Sequence, residues 1–134
     1  MAKLSDIEGI GATYATKLQA CGIATQEQLL EKGGTPAGRK ALIKESGISD
    51  KLILKWINRA DLARIKGVGG EYADLLECAG VDTVPELAQR NASNLHSKIK
   101  EVNEQKKLVR TLPSESRVEA WVSQAKSMDR AIHY

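Results

Sequence analysis

The sequence predicts an all-α protein built from two copies of one unit, and three observations lead there. Aromatic residues make up only 4% of the 134 residues and phenylalanine is absent, so any core must be built from Leu, Ile, Val and Ala. Such a composition favours helices over sheet sandwiches. Second, apolar residues recur at helical spacing, with no strand-like alternation anywhere, and the breaks between runs are Gly, Pro or residues suited to capping helices. Third, the chain repeats itself. At a constant shift of 58, Ala2, Leu4, Ile7, Gly9, Gly11, Tyr14, Ala15, Leu18, Gly22, Thr25 and Leu29 meet Ala60, Leu62, Ile65, Gly67, Gly69, Tyr72, Ala73, Leu76, Gly80, Thr83 and Leu87. Background composition would give roughly two such identities over that span. After a small insertion "SDKLILKWINRA" (49 to 60) lines up with "SESRVEAWVSQA" (114 to 125), Trp on Trp.

The elements follow in order. Residues 11 to 20 place Tyr14, Ala15, Leu18 and Cys21 on one helical face, and Gly22 stops the helix. Thr25 to Gln28 reads as a capping box for a short helix ending near Lys32, with Thr83 to Glu86 and Pro85 as its counterpart. Thr35-Pro36 opens a helix to about Ser46, and Ser93 is expected to cap a longer counterpart from Asn94 to Leu108. Ser49 and Ser114 are expected to cap the Trp-bearing helices. "WINRADLARI" contains no breaker, which predicts one continuous helix near residues 50–66 that fuses the halves into one compact body. The expected organisation is a first repeat over 1–60, a second over 61–125 and a tail over 126–134. "KSMDRAIHY" within that tail is either a frayed helix or a docking segment.

Several function classes receive no support. No apolar run is long enough to cross a bilayer and "MAKLSDIEG" has no signal-peptide core, so the expectation is a cytoplasmic protein. Cys21 and Cys78 are too few for a disulfide scaffold and lie at no metal-ligand spacing; both sit on apolar helical positions and read as buried, reduced and structural. His96 has no partner at a useful spacing. No nucleophile triad, carboxylate pair, phosphate-cradling loop with its lysine or zinc pattern is present, so neither an enzyme nor a cofactor is expected. Trp56 and Trp121 occupy matching repeat positions and read as core anchors, with Tyr14 and Tyr72 packed behind the turns.

"IEGIGATYATKLQACG" and "IKGVGGEYADLLECAG" remain. In each, an apolar residue and one spacer precede Gly-apolar-Gly, and an Ala- and Leu-bearing helix follows. This pattern resembles the helix-hairpin-helix motif. "SGISDKLILKWI" (46 to 57) and "LPSESRVEAWV" (112 to 122) resemble degenerate second hairpins, so each half looks like a double unit of about five helices, similar to small domains of DNA-repair and recombination proteins. The whole chain also resembles an uncharacterised bacterial domain family with paired helix-hairpin-helix motifs, through "IEGIG", "RADLARIKGVGGEYADLLECAGVDTVPELAQR" and the late Trp-Val-x-x-Ala-Lys. That second resemblance implies a fold and no activity. The motif implies that turn amides at the start of the second helix hold one backbone phosphate, without sequence preference.

Flanking residues separate the two copies. The first turn is followed by the small, neutral Ala12 and Thr13, with Lys17 one turn on; the second is followed by Glu71, Asp74 and Glu77, which suit a helix N-terminus by themselves and repel nucleic acid. Residues 1 to 66 hold 11 Lys and Arg against 7 Asp and Glu, whereas residues 67 to 134 hold 9 against 10. Arg39 and Lys40 share one helix, and Lys51, Lys55 and Arg59 recur every fourth residue on the next. The candidate nucleic-acid-binding set is therefore Gly9, Ile10, Gly11, Ala12, Thr13, Lys17, Arg39, Lys40, Lys51, Lys55 and Arg59. The leading expectation is a non-catalytic module that binds DNA or RNA backbone weakly. The rival is a protein-interaction adaptor using the duplicated helical surface; no membrane or metal partner is expected.

Overall fold

The computed structural model describes residues 3, 4, 7 and 9 to 133; Ala2, a repeat-matching position, and Tyr134, at the end of the tail, lie outside the described residues. The protein is all-helical: α1 (Ala12–Ala20), α2 (Gln26–Gly33), α3 (Pro36–Ser46), α4 (Asp50–Leu62), α5 (Gly70–Cys78), α6 (Val84–Ala88), α7 (Ala92–Lys106) and α8 (Glu115–Ser127). Among the described residues no strand forms; Lys3 and Thr25 make an isolated antiparallel bridge. The chain divides into two compact units, Met1–Asp61 with Arg130–Tyr134, and Leu62–Asp129. Among the described residues each contains four α-helices, against the about five helices expected for each half.

In the first unit α3 packs on α1 and α2, and Leu18, Leu29, Leu42, Ile53, Trp56 and Ile57 form the centre of an apolar core. In the second, α8 packs on α6 and α7, and α5 on α7, around Leu75, Leu76, Leu87, Leu95, Ile99, Val118 and Trp121. Both tryptophans are buried, as core anchors should be, and each meets the tyrosine of its own unit. Tyr14 and Trp56 lie 5.0 Å apart between ring centroids, and Tyr72 and Trp121 lie 5.4 Å apart. Such tilted and edge-on pairs set the ring edge of one against the electron-rich face of the other.

Local chemistry explains most helix ends. Thr25 Oγ1 accepts from the Gln28 amide at 3.2 Å, while Gln28 Oε1 reaches back to the Ala24 amide at 2.7 Å. The counterpart cap differs: Glu86 accepts from the Asp82 amide, but the Thr83 side chain caps no amide of α6 and donates to Glu86 Oε1 instead. Thr35 caps α3 ahead of Pro36, and Ser114 caps α8 by accepting from the Arg117 amide. α7 begins earlier than expected because Asn91, not Ser93, is its cap, accepting from the Asn94 amide at 3.0 Å.

Two further expectations are corrected. α4 ends at Leu62, so the helix does not continue to residue 66: Ile65 donates to the Leu62 carbonyl in a tight turn, and Val68 donates to Ile65 in the next. The cysteines are both free, but Cys78 is exposed and Cys21 only half-buried. Beyond α8, residues 128 to 133 form no helix. Ile132 is buried in the first unit's core, and the His133 amide donates to Gly34 O at 2.6 Å. A side chain on Gly34 would stand 2.6 Å from the Ala131 carbonyl oxygen, so the absence of a Cβ there lets the two backbones meet.

Candidate nucleic-acid interface

The two Gly-apolar-Gly stretches adopt the same backbone. Gly9 and Gly67 have φ of +95° and +93°, a region that side chains rarely enter. Ile10 and Val68 turn inward and are buried. The Ile10 amide donates to Ile7 O at 3.2 Å, and the Val68 amide to Ile65 O at 3.1 Å. Ile10 is thereby removed from the set of amides that could face a ligand. Gly11 and Gly69 are the N-caps of α1 and α5, both extended, with φ of −86° and −91°.

What the caps leave open is the feature of interest. The first three amides of any α-helix have no partner within it. On α1 the cap is a glycine, which has no side chain to accept from these amides, and the first turn carries no acidic residue. Gly11, Ala12 and Thr13 are exposed, and Lys17 follows one turn on, also exposed, its Nζ 5.8 Å from the Tyr14 ring centroid. A partial positive charge, free donors and a nearby cation thus coincide in solvent. On α5 the same geometry carries Glu71 in its first turn, exposed. Asp74 and Glu77 are half-buried and engaged within the fold, so Glu71 is the acid that faces solvent there.

The basic residues of the first unit separate. Lys40 and Lys51 are exposed and line one groove between α3 and the start of α4, a cavity of ≈ 320 Å³ with Pro36, Ile43 and Leu54 in its walls. Arg39 lines it too, but its guanidinium is committed: Nη1 donates to Gly33 O at 2.9 Å and Nη2 to His133 O at 2.6 Å. Lys55 is exposed one turn beyond Lys51. Arg59 is not on the ridge. It is 7% exposed and already partnered within the protein. Four residues advance a helix by about 400°, so each step of the i, i+4, i+8 series drifts about 40°, and Arg59 has turned about 80° from Lys51 into the packed face. Its repeat counterpart, Gln124, brackets the residue before the second turn, accepting from the Lys66 amide at 3.0 Å and donating to the Lys66 carbonyl at 3.4 Å.

Sequence reasoning missed Arg117. Its guanidinium carbon lies 5.1 Å from the Tyr72 ring centroid and 5.8 Å from that of Trp121, and Nη1 donates to Tyr72 Oη at 3.4 Å. Leu52, half-buried, occupies the matching place in the first half, so no repeat signal marked Arg117.

A family model described as Domain of unknown function (DUF4332) matches residues 8–128. The chain belongs to this family. Comparison with curated proteins and with solved structures gave no match. The matched DUF4332 segment takes in both glycine turns from Gly9 onward and helices α1 to α8, and it stops before the docked C-terminal residues. No helix among the described residues of this DUF4332 protein is long and apolar enough to cross a membrane. Among the same residues no group of His, Cys, Asp or Glu could hold a metal ion.

Proposed function

We propose that this protein is a non-catalytic module that holds nucleic-acid backbone weakly and without sequence preference, through the start of α1. In this reading the two turns are helix-hairpin-helix elements of a duplicated domain, and the first is the working one. The observation that carries it is the exposed, glycine-capped N-terminus of α1, with no acidic residue in its first turn and Lys17 one turn away. A phosphate oxygen accepts from the amides at residues 12 and 13 while the lysine ammonium balances its charge. Lys40, Lys51 and Lys55 supply further exposed positive charge in the same unit. Such contacts position a backbone and read no bases. The setting proposed is cytoplasmic.

A second reading, an adaptor for another protein, is favoured by the α3–α4 groove, whose walls are apolar at Pro36, Ile43 and Leu54. Titration of duplex and branched DNA at low salt separates the two. Three or four phosphate contacts give a log–log salt slope of roughly −3. Lys17→Glu should weaken binding and flatten that slope. Absence of binding at low salt, or affinity unchanged in Lys17→Glu, would contradict the nucleic-acid reading.

A further inference from the structure

The second unit holds a cleft behind the C-terminal end of α7. α7 ends at Lys106, and Lys107 turns left-handed at φ 50° and ψ 48°, its amide donating to Asn103 O at 2.8 Å. The segment that follows is fixed along its length. Asn103 brackets Val109, Oδ1 accepting from its amide at 3.0 Å and Nδ2 donating to its carbonyl at 3.2 Å. Tyr72 Oη donates to Thr111 O at 3.1 Å, and His96 Nε2 lies 3.0 Å from Pro113 O. Between this pinned segment and the start of α5 lies a cavity of ≈ 680 Å³, lined by Glu71, Tyr72, Asn103, Lys107, Arg110 and Thr111, among others. Its size falls within the usual range for small-molecule sites.

The charges in this cleft do not satisfy one another. Glu71, Lys107 and Arg110 all line it and all are exposed, yet no ion pair joins Glu71 to either cation. Two cations on a segment whose backbone is already held, and one carboxylate at the start of α5, stand around one cavity. We propose that the cleft binds a small phosphate monoester that also carries an amine, its phosphate on Lys107 and Arg110 and its ammonium on Glu71. Charge balance favours this class. The three side chains sum to +1, and a phosphate monoester bearing one ammonium is close to −1 near neutral pH. A plain amino acid would leave the positive charge uncompensated, and a nucleic-acid strand would meet Glu71 as a like charge without an amine to offer it. The guanidinium fork of Arg110 suits two phosphate oxygens at once.

The test is amide-resolved NMR titration of the full chain with O-phosphoethanolamine, and in parallel with inorganic phosphate and with ethanolamine. O-phosphoethanolamine should shift Glu71 and the amides of residues 107 to 111 saturably, with inorganic phosphate about fivefold weaker and ethanolamine weaker still. Glu71→Gln should bring O-phosphoethanolamine and inorganic phosphate to equal affinity, and Arg110→Gln should weaken both. Because both side chains are exposed, the variants should keep the wild-type spectrum elsewhere. Three results would overturn the proposal: no saturable shift at these amides, inorganic phosphate matching O-phosphoethanolamine in the wild type, or an undiminished preference in Glu71→Gln. DNA binding at α1 is read from other residues, so failure here leaves that reading untouched, and the reverse also holds.

Discussion

The indole of Trp121 lies against Gly67, so close that a Cβ on that glycine would stand 3.3 Å from Nε1. Trp56 and Gly9 repeat the relationship at 3.5 Å. Each turn is therefore formed on the ring of a helix more than 45 residues further along its own half, and the left-handed backbone and the buried ring specify one another. Gly67→Ala and Gly9→Ala should each destabilise by about 1–3 kcal/mol, from the strained φ alone. Gly67→Ala should cost more, because its methyl meets the ring more tightly. Urea unfolding followed by tryptophan fluorescence measures both, and losses under about 0.5 kcal/mol would show that the backbone can relax.

Gly33 is a different case. A Cβ there collides with Cδ1 of Ile57 in α4, so Gly33→Ala overpacks the first core. The expected loss is about 1–3 kcal/mol. Ile57→Val removes the colliding methyl and alone costs about 0.5–1.5 kcal/mol. In the double variant the loss should be smaller than the sum of the two, a coupling that thermal or urea unfolding of all four proteins would expose.

The C-terminal residues are predicted to belong energetically to the first unit. Ile132→Ala should cost about 2–4 kcal/mol, as for any large aliphatic side chain removed from a core. Arg39→Ala, which deletes the bonds to Gly33 O and His133 O, should cost about 1–2 kcal/mol. Its DNA affinity should fall less than that of Lys17→Glu, since its guanidinium serves the fold. A larger fall than in Lys17→Glu would restore Arg39 to the binding surface.

Most of the fold was legible because its determinants are local. Glycine turns, Thr and Ser caps, Pro36 and apolar periodicity each act within a few residues, and the repeat doubled every signal. Asn91 replaced Ser93 as a cap because both precede a helical run and only three-dimensional packing selects the register. The continuation of α4 failed for a related reason: "RADLARI" lacks a breaker, yet the following turn takes its hydrogen bonds from the Leu62 and Ile65 carbonyls. At the candidate site the helix start and Lys17 were readable, since both follow from sequence order. The fates of Arg39 and Arg59 were not. Arg39 bonds a carbonyl 94 residues away, and Arg59 is buried by the 40° drift that a four-residue spacing carries. The cleft at Lys107 depends on Asn103, Tyr72 and Thr111 meeting, which no spacing rule announces.

The central claim is that the open amides of α1, and not those of α5, receive a phosphate. Gly11→Asp and Gly69→Asp test it side by side, because a Cβ at either position meets nothing within 4 Å and both glycines already have N-cap geometry. An aspartate there accepts from the helix amides, so both variants should be as stable as the wild type or more stable by a few tenths of a kcal/mol. DNA affinity at low salt, measured by fluorescence anisotropy, should fall at least about tenfold in Gly11→Asp, the equivalent of one lost charge-assisted contact. It should stay near wild type in Gly69→Asp. Equal affinities in the two variants, or a loss confined to Gly69→Asp, would contradict the account.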